Sequence, residues 1–460
     1  MMLKSFTVSE ILPVIKGILT QGSETEIRGI STDTRTISKG DLYIPLKGER
    51  FNGHEFIHQA KAAGAVAALI DEDINTDGLN SFPLIRVFDC LLALGQIAQY
   101  QRRQFTGQVV AVTGSAGKTS VKQLMANVLR QQFSTWMTQG NLNNHIGAPL
   151  TLLAIQPEHE AAMIELGASG LKEIAYTAQF VEPDISILTN ASEAHLEGFG
   201  SLSGIVQTKG EIIDYVRPGG RTILNRDDEF YDVWQQRAER QGIAVTSFGL
   251  SVNADIRAVN IETSLQGCHF TLVVNGDSSY SVDLPLLGEH NVRNALAVVA
   301  AALAVPMPIE KVIYGLETAE AYKGRLRWCD GAQNQRILDD SYNASPASVY
   351  AAIDVLANAE NSWLVLGDMA ELGDDAESIH YKIGQYAQQQ GIKRLVATGK
   401  YNKNTVAAFG DKGIWYEKRD ELVHYLKQQT SATDVLLVKG SRSAGMDKVV
   451  TALQIGEEEN

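Results

Sequence analysis

Val109-Val110-Ala111-Val112-Thr113-Gly114-Ser115-Ala116-Gly117-Lys118-Thr119-Ser120 is the stretch on which the fold turns. It reads as a short buried strand, a tight glycine turn and the start of a helix whose Val121, Leu124, Met125, Val128 and Leu129 share one face. A strand that delivers a glycine-rich turn into a helix aims several backbone N–H groups, and the positive end of the helix dipole, at one point. That suits a phosphate chain, with Lys118 on its outer phosphates and the Thr119 hydroxyl on Mg²⁺. The general phosphate-loop pattern places a glycine five residues before Gly117, where this chain has Val112, so only the shorter Gly-x-x-Gly-Lys-Thr is matched. Alone, those six residues also describe a plain strand-to-helix turn; the strand before them and the amphipathic helix after them favour a bound nucleotide.

Outward from that loop, 460 residues exceed what one hydrophobic core supports, so two or three domains are expected, and 44% hydrophobic residues can fill them. A net charge of −14, with no basic run longer than Arg102-Arg103, excludes a nucleic-acid binder of the backbone-gripping kind. Anionic substrates must then be held locally by lysine, arginine, helix ends and metal. Cys90, Cys268 and Cys329 are widely spaced and odd in number, as expected of reduced thiols in a cytoplasmic protein. No signal peptide is expected, because Glu10, Pro13 and Lys16 interrupt the apolar N-terminus. The apolar run 295–309 is too short to span a bilayer and reads as a buried helix followed by a turn.

Three α/β domains are expected, at 1–105, 106–319 and 320–460. In the first, strand-like runs at 42–46, 65–70 and 84–88 alternate with helical ones at 55–63 and 91–101. Its polar residues concentrate around Asp33-Thr34-Arg35 and from Lys47 through Arg50 to His54; Arg35, Lys47 and Arg50 suit a diphosphate, although such loops are also ordinary exposed turns. In the second, an amide-rich loop carries Asn141, Asn143 and Asn144, and the apolar strand 161–165 ends on Glu165, where a parallel sheet presents ligand-facing residues. Glu165 is therefore a candidate Mg²⁺ ligand beside Thr119. Strand 185–190 repeats the design with His195 beyond it, a position that by itself reads as a surface histidine, just as Lys209 reads as a solvated lysine. Residues 251–283 alternate in character and read as an antiparallel extension of the sheet. Asn291 and Asn294 stand one helical turn apart, where two carboxamides can meet a purine edge or cap the helix. From Arg336 onward, strands at 337–340, 363–366, 394–397 and 435–438 alternate with helices at 346–358, 376–389, 420–428 and 444–453, a doubly wound parallel sheet. No Gly-x-Gly-x-x-Gly follows any of these strands, which weighs against a dinucleotide cofactor.

Taken together, Thr113-Gly-x-x-Gly117-Lys118-Thr119, Glu165, the segment from Thr189-Asn190 to His195, Lys209, Gly288-x-His290-Asn291-x-x-Asn294 and Gly324-Arg325 resemble the Mur ligase family over essentially the full length. The resemblance also accounts for Val112, since the family lacks the first glycine. It implies a three-domain ligase in which ATP activates a peptide carboxylate as an acyl phosphate that an amine then displaces. Asp33 to Arg35, the loop 48–54, the loop 140–147, Asp340-Ser341-Tyr342-Asn343-Ala344-Ser345 and the segment 366–373 are similar to those of the members that add D-alanyl-D-alanine to UDP-N-acetylmuramoyl-tripeptide. The Asp-Asn-Pro-Arg segment of the members that add the diamino acid is missing from this chain.

By the same resemblance Lys118, Lys209, His195 and Arg325 are catalytic. Residues 113–120 with Asn291 and Asn294 hold ATP. Thr119 and Glu165 hold one Mg²⁺, and His195 with a carbamylated Lys209 a second. Asp33, Arg35, Lys47, Arg50, Asn141, Asn144, Asp340, Tyr342, Asn343 and Ser345 meet the substrates. The implied protein is a cytoplasmic monomer acting on small molecules. Two alternatives stay open: a Mur ligase with another amino-acid substrate, told apart by which amine supports ADP release, and a P-loop switch whose turnover needs a macromolecular partner.

Overall fold

A computed structural model describes residues 2–48, 50–192, 196–276 and 278–454. It holds three large sheets, each in its own stretch of chain. The first has the order Ile18–Gln21, Leu84–Arg86, Ala67–Ile70, Asp41–Tyr43, Gly29–Ser31, parallel except for the antiparallel edge at Ile18–Gln21. The strand expected at 42–46 stops at Tyr43 because Pro45 has no N–H to continue a ladder. The helix Cys90–Gln104, capped where Leu92 N–H donates to Asp89 Oδ1 at 2.7 Å, ties this sheet to the middle of the chain. Its Arg102, half of the longest basic run in the chain, is fully buried, donating to the carbonyls of Val181 and Glu182 and to Asp184 Oδ2, each at 2.9 Å.

The second sheet has nine strands, with Gln108–Thr113 between Ala161–Glu165 and Ile185–Leu188, all parallel. Val112 pairs with Glu165 on one side and Ile187 on the other, so the position that other phosphate loops give to glycine is here still inside the ladder, where a β-branched residue packs better. Farther out, Ile256–Thr263, Cys268–Val274 and Ser278–Leu284 form the expected antiparallel extension. The helix Glu289–Ala302 is buried along almost its whole length.

The third sheet has the order Arg327–Asp330, Arg336–Asp340, Val435–Lys439, Ser362–Leu366, Arg394–Thr398, Gly413–Tyr416, parallel but for its first strand. Apolar clusters lie on both faces, one around Val349, Ile353 and Ile383, the other around Leu422, Leu426 and Val449, as double winding requires. Asp340, Lys439 and Leu366 end level with one another. The last helix starts at Asp447 rather than 444, because a short turn at Arg442–Ala444 and Gly445 with φ +63° come first. Among the described residues no helix is long and apolar enough to cross a membrane.

Candidate active site

The carboxyl edges of the second and third sheets face a shared cavity of about 900 Å³. Ligand sites of open α/β sheets lie at such edges. On one wall the phosphate loop is held from below: Asn190 O accepts from Ser115 N–H at 3.0 Å and Asn190 Oδ1 from Ala116 N–H at 2.9 Å, while Thr189 Oγ1 donates to Ala116 O at 2.6 Å. Gly117, at φ +83°, begins the helix Lys118–Leu129, and a Cβ there would stand 2.6 Å from Asn294 Oδ1. A side chain at Gly117 would thus meet both a left-handed backbone and the Asn294 carboxamide.

Lys118 Nζ donates to Gly114 O at 2.6 Å and Ser115 O at 3.1 Å. Burial pulls its pKa down, Glu165 opposes that, and the charge of Arg325 adds to it. Thr119 Oγ1 donates to Glu165 Oε1 at 3.2 Å, and Asn143 Nδ2 donates to the same oxygen at 2.9 Å. Among the described residues Glu165 Oε2 is buried without a hydrogen-bond partner; Lys122 Nζ, itself buried, stands 3.1 Å away at ion-pair distance but off the hydrogen-bonding direction. A hydroxyl beside an incompletely satisfied carboxylate is a hard-oxygen pair of the kind Mg²⁺ takes, so these residues fit that ion.

Lys209 lies one layer behind this wall, fully buried, with its Nζ 3.3 Å from Ala168 O and 5.0 Å from the centre of the Phe199 ring. The solvated lysine that its sequence context implied is therefore corrected. Burial, reinforced by Lys118 and opposed by Glu173 and Glu211, brings its pKa to about 7. His195, expected nearby, lies outside the described residues.

Asn291 and Asn294 do share a face, and they bind each other: Asn294 Nδ2 donates to Asn291 Oδ1 at 3.0 Å, and Asn291 Nδ2 to Leu287 O at 2.9 Å. Both line the cavity, and Asn291 also reaches a smaller one of about 270 Å³ with Ser120, Thr318 and Arg325. Of the amide loop, Asn143 touches Glu165, whereas Asn144 Oδ1 accepts from Ile146 and Gly147 N–H at the start of the helix Gly147–Leu153; Asn141 lines the cavity.

Across the cavity stand Arg325, Asp340, Tyr342, Asn343 and Ser345, all singled out from sequence. Arg325 lies 4.6 Å from the Tyr342 ring centre, its Nε buried and without a hydrogen-bond partner among the described residues. Asp340 Oδ2 accepts from Lys439 Nζ at 2.6 Å, and Asn343 O from the same ammonium at 2.9 Å. Lys122 was not picked out from sequence, and Lys439, Asn143 and Asn190 only as members of a polar strand end or loop, without individual roles; nothing local in the sequence marks which of them are buried.

Asp33, Arg35, Lys47 and Arg50 do not line this cavity. Asp33 and Arg35 form an exposed fork, which holds the Asp33 carboxyl down at about 2. Lys47 pairs with Asp71 at 3.2 Å and Glu72 at 3.0 Å. His54, Asp71 and Cys90 bring three metal-type donors within 4.8 Å, but His54 Nε2 accepts from Asp71 N–H and the Lys47 ammonium sits on the same carboxylate, so this is a polar core contact.

Comparison with known proteins agrees along the whole chain. Family profiles match at residues 26–125 (Mur ligase family, catalytic domain), 112–302 (Mur ligase middle domain) and 324–442 (Mur ligase, glutamate ligase domain). The UDP-N-acetylmuramoyl-tripeptide–D-alanyl-D-alanine ligase of Escherichia coli K12 is 41% identical over 98% of both chains, and that of Bacillus subtilis 34% over 97% of this chain and 98% of its own. The crystal structure of MurF from Acinetobacter baumannii superposes with a TM-score of 0.90 at 34% identity, covering 98% of this chain and 99% of that one. MurF ligase from Thermotoga maritima in complex with ADP gives 0.82 at 25%, covering 92% and 96%.

Proposed function

The chain belongs to the Mur ligase family, and from that premise we propose that it joins D-alanyl-D-alanine to UDP-N-acetylmuramoyl-tripeptide, converting ATP to ADP and phosphate. The observation that carries this is the meeting of Thr119 and Glu165 at 3.2 Å beside Lys118, on a cavity whose opposite wall offers Arg325, its Nε without a hydrogen-bond partner among the described residues.

The chemistry asks for such a cavity, because the tripeptide carboxylate and the triphosphate are both anions and must approach one another. The carboxylate oxygen attacks the γ-phosphorus and ADP leaves, giving an acyl phosphate. The dipeptide amine then adds to the acyl carbon, loses its proton, and expels phosphate. Lys118 binds the outer phosphates, and Arg325 reaches them from the third domain. Asn291 and Asn294 hold the adenine. Thr119 and Glu165 would hold one Mg²⁺, and His195 with a carbamylated Lys209 a second; the ion supplies charge neutralisation and polarisation of the phosphoryl oxygens. Burial that brings the Lys209 pKa to about 7 leaves much of the amine neutral, with a lone pair that can add to CO₂; the nitrogen then loses one proton and the neutral amine becomes an anionic carbamate.

Each domain takes one reactant: 1–105 the uridine diphosphate, near Asp33, Arg35, Lys47 and Arg50; 106–319 ATP; 320–460 the dipeptide, near Asp340, Tyr342, Asn343 and Ser345, with Asn141 and Asn144 toward the acceptor peptide. Closure of the three excludes water from the acyl phosphate. The chain works as a monomer in the cytoplasm, where free thiols such as Cys90 persist. ADP release should require the tripeptide nucleotide and D-alanyl-D-alanine together, and Lys118→Ala should abolish it. Turnover with either substrate omitted would refute the reading.

A further inference from the structure

Resting on that reaction, we propose that Arg442 receives the terminal carboxylate of the incoming dipeptide and so sets the preference for an amine that carries one. The dipeptide arrives as a zwitterion. Its amine must reach the acyl carbon, so its other end, an anion, needs a cation on the third-domain wall.

Three cations line that wall. Lys439 is buried and spent on Asp340 Oδ2 and Asn343 O. Arg325, its Nε buried, also lines the smaller cavity with Ser120 of the phosphate loop and is the cation assigned to the phosphates. Arg442 remains, 69% exposed, its one ion pair among the described residues a single contact of 3.3 Å to the exposed Asp447. Such a pair in water contributes little and leaves most of the guanidinium fork free for a two-point grip on a carboxylate.

Its position fits the length of the ligand. The Tyr342 ring lies 4.6 Å from the Arg325 guanidinium and 5.9 Å from that of Arg442, so both belong to one patch. Two residues span at most about 7 Å. A dipeptide lying along the Tyr342 ring, its amine toward the Arg325 side, would carry its carboxylate toward the Arg442 side. The backbone under Arg442 is pinned, with Ser441 N–H and Oγ both donating to Asp368 O at 3.0 and 2.6 Å, and Ser441 Oγ 3.1 Å from Ser443 Oγ.

The test crosses the side chain with the ligand group. Steady-state kinetics of wild type, Arg442→Gln and Arg442→Lys are measured with D-alanyl-D-alanine and with D-alanyl-D-alaninamide, which lacks the carboxylate. Arg442→Gln should raise KM for the acid about 10- to 100-fold, the worth of a charged hydrogen-bonded contact. It should leave KM for the amide, ATP and the tripeptide nucleotide unchanged, and Arg442→Lys should fall between, keeping the charge without the fork. An equal rise for acid and amide, a shift in the ATP or nucleotide KM instead, or an unchanged KM for the acid would overturn the proposal. A wild-type enzyme that releases no ADP with the dipeptide would defeat the ligase reading itself, so the two failures are distinct.

Discussion

Lys122 shows how much a single buried charge decides. It has no exposed surface, donates to Gly140 O at 3.1 Å and stands 3.1 Å from Glu165 Oε2. Lys122→Met would strand that carboxylate, at a cost of about 3–5 kcal/mol, and adding Glu165→Gln should restore most of the loss. Urea unfolding of the single and double variants checks this; a single-variant loss below about 1 kcal/mol would mean the pair is not coupled. His290 makes the corresponding case for pH. It is half-buried, with Lys439 and Arg293 facing it on one side of the balance and Asp354 and Glu289 on the other; burial first, then the two cations, lower its pKa from 6.5 to about 4. The unfolded chain therefore binds a proton between pH 6.5 and 4 that the folded chain refuses, so stability falls as pH drops through that window. His290→Gln should flatten that limb of the stability curve; an identical slope in both proteins would remove His290 as its cause.

At the scale of elements, the phosphate loop can be tested with an internal control. Gly117 and Gly219 both have φ +83°, but a Cβ at 117 meets Asn294 at 2.6 Å whereas at 219 it meets nothing within 4 Å. Alanine at either site should cost about 1–2 kcal/mol of backbone strain. Only Gly117→Ala should also weaken nucleotide binding, about tenfold or more by calorimetry, and equal nucleotide affinity in the two variants would separate the loop from the ligand. This element was legible in the sequence because all its cues are local: apolar run, glycines, lysine, and a 3.6-residue apolar period. The one-turn spacing of Asn291 and Asn294 was legible for the same reason. The burial of Lys209 and Lys439 was not, since it arises from chain segments that sequence spacing does not bring together. Lys209 is covered from Ala168 and Phe199, and Lys439 lies opposite Asp340. The end of the strand at Tyr43 was missed for a smaller reason, an apolar run that continues past the last ladder bond into Pro45.

For the whole molecule, three sheets were foreseeable from three patterns of alternation, and the antiparallel edge of the second from the change in character after 251. What no pattern carried was that Arg325 and Lys118, 207 positions apart by number, would line one cavity between two sheets. That encounter is the core of the account, in which phosphates held by one domain meet a carboxylate activated under the guanidinium of another. Ligation with tripeptide nucleotide labelled with ¹⁸O in its reacting carboxylate tests it most directly. Mass spectrometry of the released inorganic phosphate should find one labelled oxygen, carried from the carboxylate through the acyl phosphate. Unlabelled phosphate formed alongside the ligated product would contradict it.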